Sequence, residues 1–188
     1  MASTSDIKNG LCIRINSDIF KVVEFLHVKP GKGPAFVRTK IKSVTTGKVL
    51  DKTFPAGHKI DDVRVETHKF QFLYSDGDQI HFMNVDDYNQ ITLDPKIIDG
   101  YELMKEGEIV TVQLNSEDGM PLAVDMPASV VVEVSNTEPG VKGNTATNAT
   151  KPATVETGAE IMVPLFINEG DKIKVDTKTK SYMERVKA

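Results

Sequence analysis

Most of the chain alternates between short apolar-rich segments and turn-forming residues, the pattern of strands rather than helices. Residues 19–28 are rich in β-branched and aromatic side chains and predict a strand. A loop dense in proline and glycine follows at residues 29–34. Residues 36–44 then predict a second strand, and a Thr46-Gly47 turn leads to a third at 49–54. In the second strand a period of two puts Arg38, Lys40 and Lys42 on one face and Val37, Thr39 and Ile41 on the other. Residues 69–74 and 79–83 flank Ser75-Asp76-Gly77-Asp78, and Asp-Gly between alternating strands predicts a hairpin. A second turn, residues 115–119, separates the strand-like segments 109–114 and 122–126. The single helix-like stretch, residues 96–105, is short and interrupted by Gly100. Strand pattern returns at 130–134, 161–166 and 172–176, with a long polar stretch over 138–150. Residues 106–112 resemble residues 169–175 with one residue of spacing difference, which predicts two related β-modules.

Many short strands with regular turns predict an all-β chain of small barrels or sandwiches. The 188 residues allow one or two average domains, or three small ones. Pro127 and a change of charge near Val63 mark the expected boundaries, giving domains 1–64, 65–127 and 128–188. Charge separates the three sharply. Residues 1–64 carry 12 Lys+Arg against 6 Asp+Glu, residues 65–127 carry 3 against 13, and residues 128–188 carry 8 of each. Segments of +6, −10 and zero make up the overall −4. A polyanion would therefore meet the first third and be repelled by the second, so docking in one orientation is expected.

Other classes are excluded by what the residues lack. No apolar run approaches the length of about 20 residues that a membrane span needs, and the first residues carry neither a basic head nor an apolar stretch. The one cysteine, Cys12, cannot form an internal disulfide framework or a multi-cysteine zinc site, and in an apolar strand it reads as core. These features point to the cytoplasm. His27, His58, His68 and His81 form no metal-ligand spacing. The pair Asp76 and Asp78 is required by the turn itself, so no metal is expected. No nucleophile elbow, phosphate loop or dinucleotide fingerprint is present, and no catalytic residue or cofactor is assigned.

Two features carry candidate chemistry. Arg38, Lys40 and Lys42 read either as an ordinary solvated face or as a stripe for RNA phosphates. Lys32 lies between two glycines and within Pro30 and Pro34, at the tip of the expected hairpin. Glycine permits positive φ, and proline lowers the loop's entropy before binding. Taken alone, the residues describe either a solvated turn lysine or one long cationic arm on a stiff finger.

The run Val28-Lys29-Pro30-Gly31-Lys32-Gly33-Pro34-Ala35-Phe36-Val37-Arg38 resembles the signature loop of the bacterial translation elongation factor P family. The resemblance continues through residues 74–78 and 81–84, and then through 137–146, 151–158, 163–166, 174–177 and 182–186 in the same order. The shorter eukaryotic and archaeal hypusine-containing factor shares the loop but lacks a third domain. The resemblance implies an SH3-like domain of the KOW group followed by two OB-folds, in an L shape similar to tRNA. It implies binding to the ribosome between the peptidyl and exit sites, and relief of stalling at consecutive prolines, without enzymatic chemistry. Lys29, Pro30, Gly31, Lys32, Gly33 and Pro34 would then face the CCA end of peptidyl-tRNA, with Lys32 modified by a dedicated enzyme. In many family members the matching lysine is extended, for example by β-lysine. Gly143, Asn144 and Thr145 correspond to a family motif, often Gly-Asp-Thr, that lies near the exit-site codon of the mRNA. Here Asn144 keeps hydrogen-bonding capacity and drops a charge. A monomer is expected. The rival reading, a general single-stranded RNA-binding OB-fold protein, would need aromatic platforms along a basic groove. A chain with no Trp and a −10 middle segment supplies these poorly.

Overall fold

The alternating segments form sixteen strands in a computed structural model that describes residues 1–140 and 149–187. Two compact units are present, residues 1–69 with 111–124, and residues 70–110 with 125–188. This grouping differs from a division purely along the chain at 64/65 and 127/128.

The first unit opens with β1 (Ala2–Ser3) and a 3-10 turn at Thr4–Asp6, a turn that the alternation pattern did not anticipate. It continues through β2 (Cys12–Ile15), β3 (Asp18–Val28), β4 (Phe36–Ser43) and β5 (Val49–Pro55), an antiparallel meander in that spatial order. The short β6 (Lys59–Ile60) returns to pair with β1. Strand β4 follows the period-two expectation: Val37, Thr39 and Ile41 are buried, and Arg38, Lys40 and Lys42 face outward. Ile13, Phe20, Val22, Val37, Ile41 and Phe54 form the core. The buried Thr39 hydroxyl is satisfied by donating to the Lys52 carbonyl at 2.8 Å. Cys12 is buried in a second cluster with Ile19, Val44, Val63 and Leu122. Leu122 brings residues 111–124 into this unit, and Arg14 pairs with Glu117 at 3.0 Å beside it.

Strands β7 (Val65–Ser75), β8 (Ile80–Asn84) and β9 (Gln90–Leu93) run antiparallel in sequence, and β10 (Ile109–Asn115) and β11 (Pro121–Asp125) follow. The helix-like stretch resolves into two 3-10 turns, Pro95–Ile97 and Tyr101–Leu103. Asp94 caps the first by accepting from the Lys96 N–H at 2.9 Å, and Gly100, in the left-handed region, separates the two. The second unit ends in β12 (Ser129–Thr137), β13 (Thr150–Val155), β14 (Glu160–Pro164), β15 (Lys172–Asp176) and β16 (Ser181–Val186), ordered β14-β13-β12-β15-β16. Val130, Val132, Val134, Val163, Ile173 and Val175 line its core, joined by Leu103 from the second 3-10 turn.

The echo between residues 106–112 and 169–175 is structural. Gly107 N–H donates to Phe72 O at 2.9 Å, and Phe72 N–H donates to Glu108 O at 2.8 Å. Gly170 and Asp171 make the same exchange with Val134, at 2.9 Å each way. Both glycines have φ near +84 (85 and 83), which costs a residue with a Cβ about 1–2 kcal/mol. A third copy, absent from the sequence echo, joins Gly10 (φ 89) and Leu11 to Val22 at 2.8 Å each way. In each case the register of the partner strand shifts just beyond the contact, after Val22, Phe72 and Val134.

Candidate functional site

Strands β3 and β4 pair from Phe20↔Ser43 up to Val28↔Phe36, so residues 29–35 form the tip of a long hairpin. Lys29, Pro30, Gly31, Lys32, Gly33 and Pro34 are all exposed. Gly33 has φ of 112, a value that needs glycine, whereas Gly31 does not adopt positive φ. The expected freedom of two glycines is therefore used at one. Lys32 stands between them as an exposed cation on a tip confined by Pro30 and Pro34.

Arg38, Lys40 and Lys42 share the outer face of β4, but they are not a bare basic stripe. Cross-strand neighbours flank Lys40 with Glu24 and Asp51, and its ammonium lies 3.1 Å from Glu24. Arg38 is flanked by Leu26 and Thr53, and its guanidinium lies 5.6 Å from the Phe36 ring centre, a cation–π contact. Lys42 is flanked by Lys21 and Val49. An open depression of about 430 Å3 lies over this face, lined by Glu24, Leu26, Arg38, Lys40 and Asp51 among others. Glu24 and Leu26, the latter 60% exposed, are site residues that strand alternation did not bring forward. Counting outward from a closed Val28↔Phe36 pair would have placed Glu24 opposite Lys40.

The Asp76 carboxylate serves the turn that Asp-Gly predicts. One oxygen accepts from the Asp78 and Gln79 N–H groups at 3.2 and 2.9 Å; the other lies 3.0 Å from His81 Nε2. The hydrogen bond with His81, followed by the one from Gln79, holds this carboxyl below the usual carboxylate range. The Tyr74 ring stacks on His81 with centres 4.4 Å apart.

Gly143, Asn144 and Thr145 lie outside the described residues. The chain leading up to them is well anchored. Lys151 is buried and donates to Glu138 O at 2.6 Å, and Thr137 Oγ1 donates to Pro152 O at 3.0 Å. A Cβ on Gly140 would sit 2.5 Å from Leu165 O, so that position admits only glycine without backbone movement.

The domain sequence agrees with known families. Residues 3–60 match the elongation factor P KOW-like domain, residues 65–124 the elongation factor P OB domain, and residues 130–185 the elongation factor P C-terminal domain. A KOW-like domain and an OB domain in this order, with an exposed lysine on the first domain's hairpin, define a β-barrel translation factor. Elongation factor P of Christiangramia forsetii is 74% identical over 187 residues, and that of Flavobacterium psychrophilum 71%, each alignment covering 100% of both chains. The chain belongs to the elongation factor P family. A solved structure, eukaryotic translation initiation factor 5A from Methanococcus jannaschii, shares the fold with a TM-score of 0.51 at 20% identity, over 67% of this chain and 90% of that one. Among the described residues no helix is long and apolar enough to cross a membrane.

Proposed function

We propose that the protein binds the ribosome between the peptidyl and exit sites and promotes peptide-bond formation at consecutive prolines. The observation that carries this reading is Lys32, exposed at the tip of a proline- and glycine-framed hairpin on the basic segment. Proline reacts slowly because its ring fixes φ and hinders its nitrogen. A factor that holds peptidyl-tRNA in a reactive geometry accelerates the step without supplying a catalytic group. In this reading the loop 29–34 enters beside the CCA end, and a modifying enzyme extends the Lys32 side chain. The ribosome performs the chemistry, so the protein itself is not an enzyme.

Arg38, Lys40 and Lys42 contact RNA phosphates and fix orientation rather than read sequence. Lys40 does so by exchanging Glu24 for a phosphate. The negative segment 65–127 turns away from RNA, and Gly143, Asn144 and Thr145 meet the exit-site codon. The protein acts as a monomer, with domains 1–64, 65–127 and 128–188, in the cytoplasm where its ribosomes are.

The test is reconstituted translation of a three-proline reporter with protein purified from its native source. Faster passage through the prolines, with a proline-free control unchanged, is the expected result. Lys32→Ala keeps the fold and loses most of the rescue. Full rescue by folded Lys32→Ala protein would overturn the assignment. Equal, salt-dependent affinity for free RNA oligomers and tRNA-loaded ribosomes would instead favour a general single-stranded RNA binder.

A further inference from the structure

Thr4, the first residue of the 3-10 turn Thr4–Asp6, is polar and yet only 2% exposed. The chain fixes it on both sides. Ala2 and Ser3 pair with Ile60 and Lys59, and the Asp6 carboxylate accepts from the Ser3 N–H and hydroxyl at 2.8 and 2.9 Å. Buried polar groups need partners, and the Thr4 hydroxyl accepts from the Gly57 N–H at 2.8 Å while the Thr4 N–H donates to His58 O at 3.1 Å. Gly57 is the left-handed residue, φ 78, of the turn that ends β5, and the His58 N–H closes that turn on Pro55 O at 3.1 Å. One residue before Gly57, the Ala56 N–H donates to Ala35 O at 2.9 Å. This bond lies one step beyond the Phe36↔Pro55 pair and holds the foot of the 29–35 tip.

The route from Thr4 to Lys32 is short. Thr4 holds the turn after β5, the turn holds Ala35, and Ala35 is joined to Lys32 through Gly33 and Pro34. Pro34 fixes its own φ, and Gly33 at φ 112 sits in a region that favours glycine, so few torsions stay free between the anchored carbonyl and the lysine. We infer that Thr4 is a positioning residue for Lys32, its hydroxyl setting, through Gly57 and Ala56, the foot from which the lysine is aimed. Being buried, Thr4 acts through the loop and touches no partner itself. The inference rests on the reading in which Lys32 acts from the hairpin tip, and it adds a residue of the opening 3-10 turn to that site. The hydroxyl is the active feature. Valine has the shape of threonine without the oxygen, so it would leave the Gly57 N–H with no acceptor.

The experiment joins amide NMR of the full chain with the three-proline translation assay. In the unmutated protein the Gly57 amide exchanges at least about tenfold more slowly than an unbonded amide. In Thr4→Val the Gly57 and Ala56 amides lose that protection and 15N relaxation shows larger fast motion at Lys32 and Gly33, while Ile13, Val22 and Ile41 in the core stay protected. The rate of passage through the prolines at saturating factor falls about tenfold, inside the roughly hundredfold that an ångström of misplacement can cost. The concentration giving half the effect stays the same, because the outer-face cations are untouched. Thr4→Ser restores the hydroxyl and returns both readouts to the unmutated values. An unprotected Gly57 amide in the unmutated chain overturns the inference, and that measurement needs no variant to fold. Thr4→Val protein with Gly57 released but with Lys32 relaxation and saturating rate unchanged overturns it too. So does a loss with Thr4→Ser as large as with Thr4→Val, or a shift in the half-effect concentration alone, which would assign Thr4 to docking. If the unmutated protein gives no proline rescue, the proposed function falls, and the coupling from Thr4 to Lys32 is judged by relaxation.

Discussion

Leu103 offers the sharpest test of how the second unit is held together. It lies in a 3-10 turn between β9 and β10, before all the strands whose core it enters. Its side chain is 1% exposed among Val130, Val132, Val134, Ile173 and Val175. Leu→Ala at such a site removes the transfer free energy of the lost carbons and leaves a cavity, which together cost about 3–5 kcal/mol. The rigid surround argues for the upper half of that range, because strands β12 and β15 are paired residue by residue from Ser129↔Asp176 to Glu133↔Lys172 and cannot close in easily. Urea unfolding of Leu103→Ala at neutral pH, followed by circular dichroism and by amide exchange in β12 and β15, measures the loss. Exchange in those strands should accelerate in proportion to the stability lost. Leu122→Ala is the control: Leu122 packs with Cys12, Ile19, Val44 and Val63, so it weakens the first unit and leaves β12 and β15 protected. A loss below about 1 kcal/mol for Leu103→Ala, far under the range for buried leucines, would show that the side chain is not seated in this core.

Gly170→Ala puts a Cβ at φ 83 and should destabilise the second unit by about 1–2 kcal/mol, measured by urea unfolding, and Gly107→Ala should behave alike because it holds the same exchange of hydrogen bonds. Asp76→Asn should speed amide exchange at Asp78 and Gln79 at pH 7. The Asp76 carboxyl is held below its ordinary 3.8, so its contribution is full above that value and is lost as pH falls through the lowered one; wild type and variant should therefore converge only in that acid range. Glu24→Gln removes the carboxylate beside Lys40 and should strengthen ribosome binding at low salt, whereas Lys40→Ala should cost less than Arg38→Ala, in equilibrium binding measured across a salt series.

The strands and the hairpin at Asp76-Gly77 were legible in the sequence because period-two burial and turn chemistry are local properties. So was the outward face of Arg38, Lys40 and Lys42. The two 3-10 turns around Gly100 were half legible: the break was visible in the glycine, while the destination of Leu103 depends on strands distant in sequence. The third copy, at Gly10, escaped because Asn9 and Leu11 stand where the other two have acidic residues on both sides of the glycine, so only the glycine and the apolar residues after it repeat. The acids beside Lys40 were not legible for a related reason. Alternation along one strand assigns a face, but the neighbours on that face come from β3 and β5.

That neighbour effect changes what the basic segment can do. A net +6 spread over 64 residues does not make every lysine on an outer face a phosphate ligand, because Glu24 and Asp51 stand on either side of Lys40. An exposed ion pair is weak, worth about 0.2–1 kcal/mol, so a phosphate can displace Glu24, but the exchange yields less than a cation without a partner would. Arg38 differs in kind: its neighbours across the sheet are Leu26 and Thr53, and Phe36 supports the guanidinium from one side while leaving its planar fork available. Arg38, Lys29 and Lys32, none of which has a cross-strand acid, stand toward the loop end of the hairpin, while Lys21 and Lys42 are cross-strand neighbours toward its far end. Phosphate contacts made at the loop end would fix the tip, and a contact at Lys42 would extend the footprint along the sheet, so Lys40, between its two acids, is the weakest link of the three.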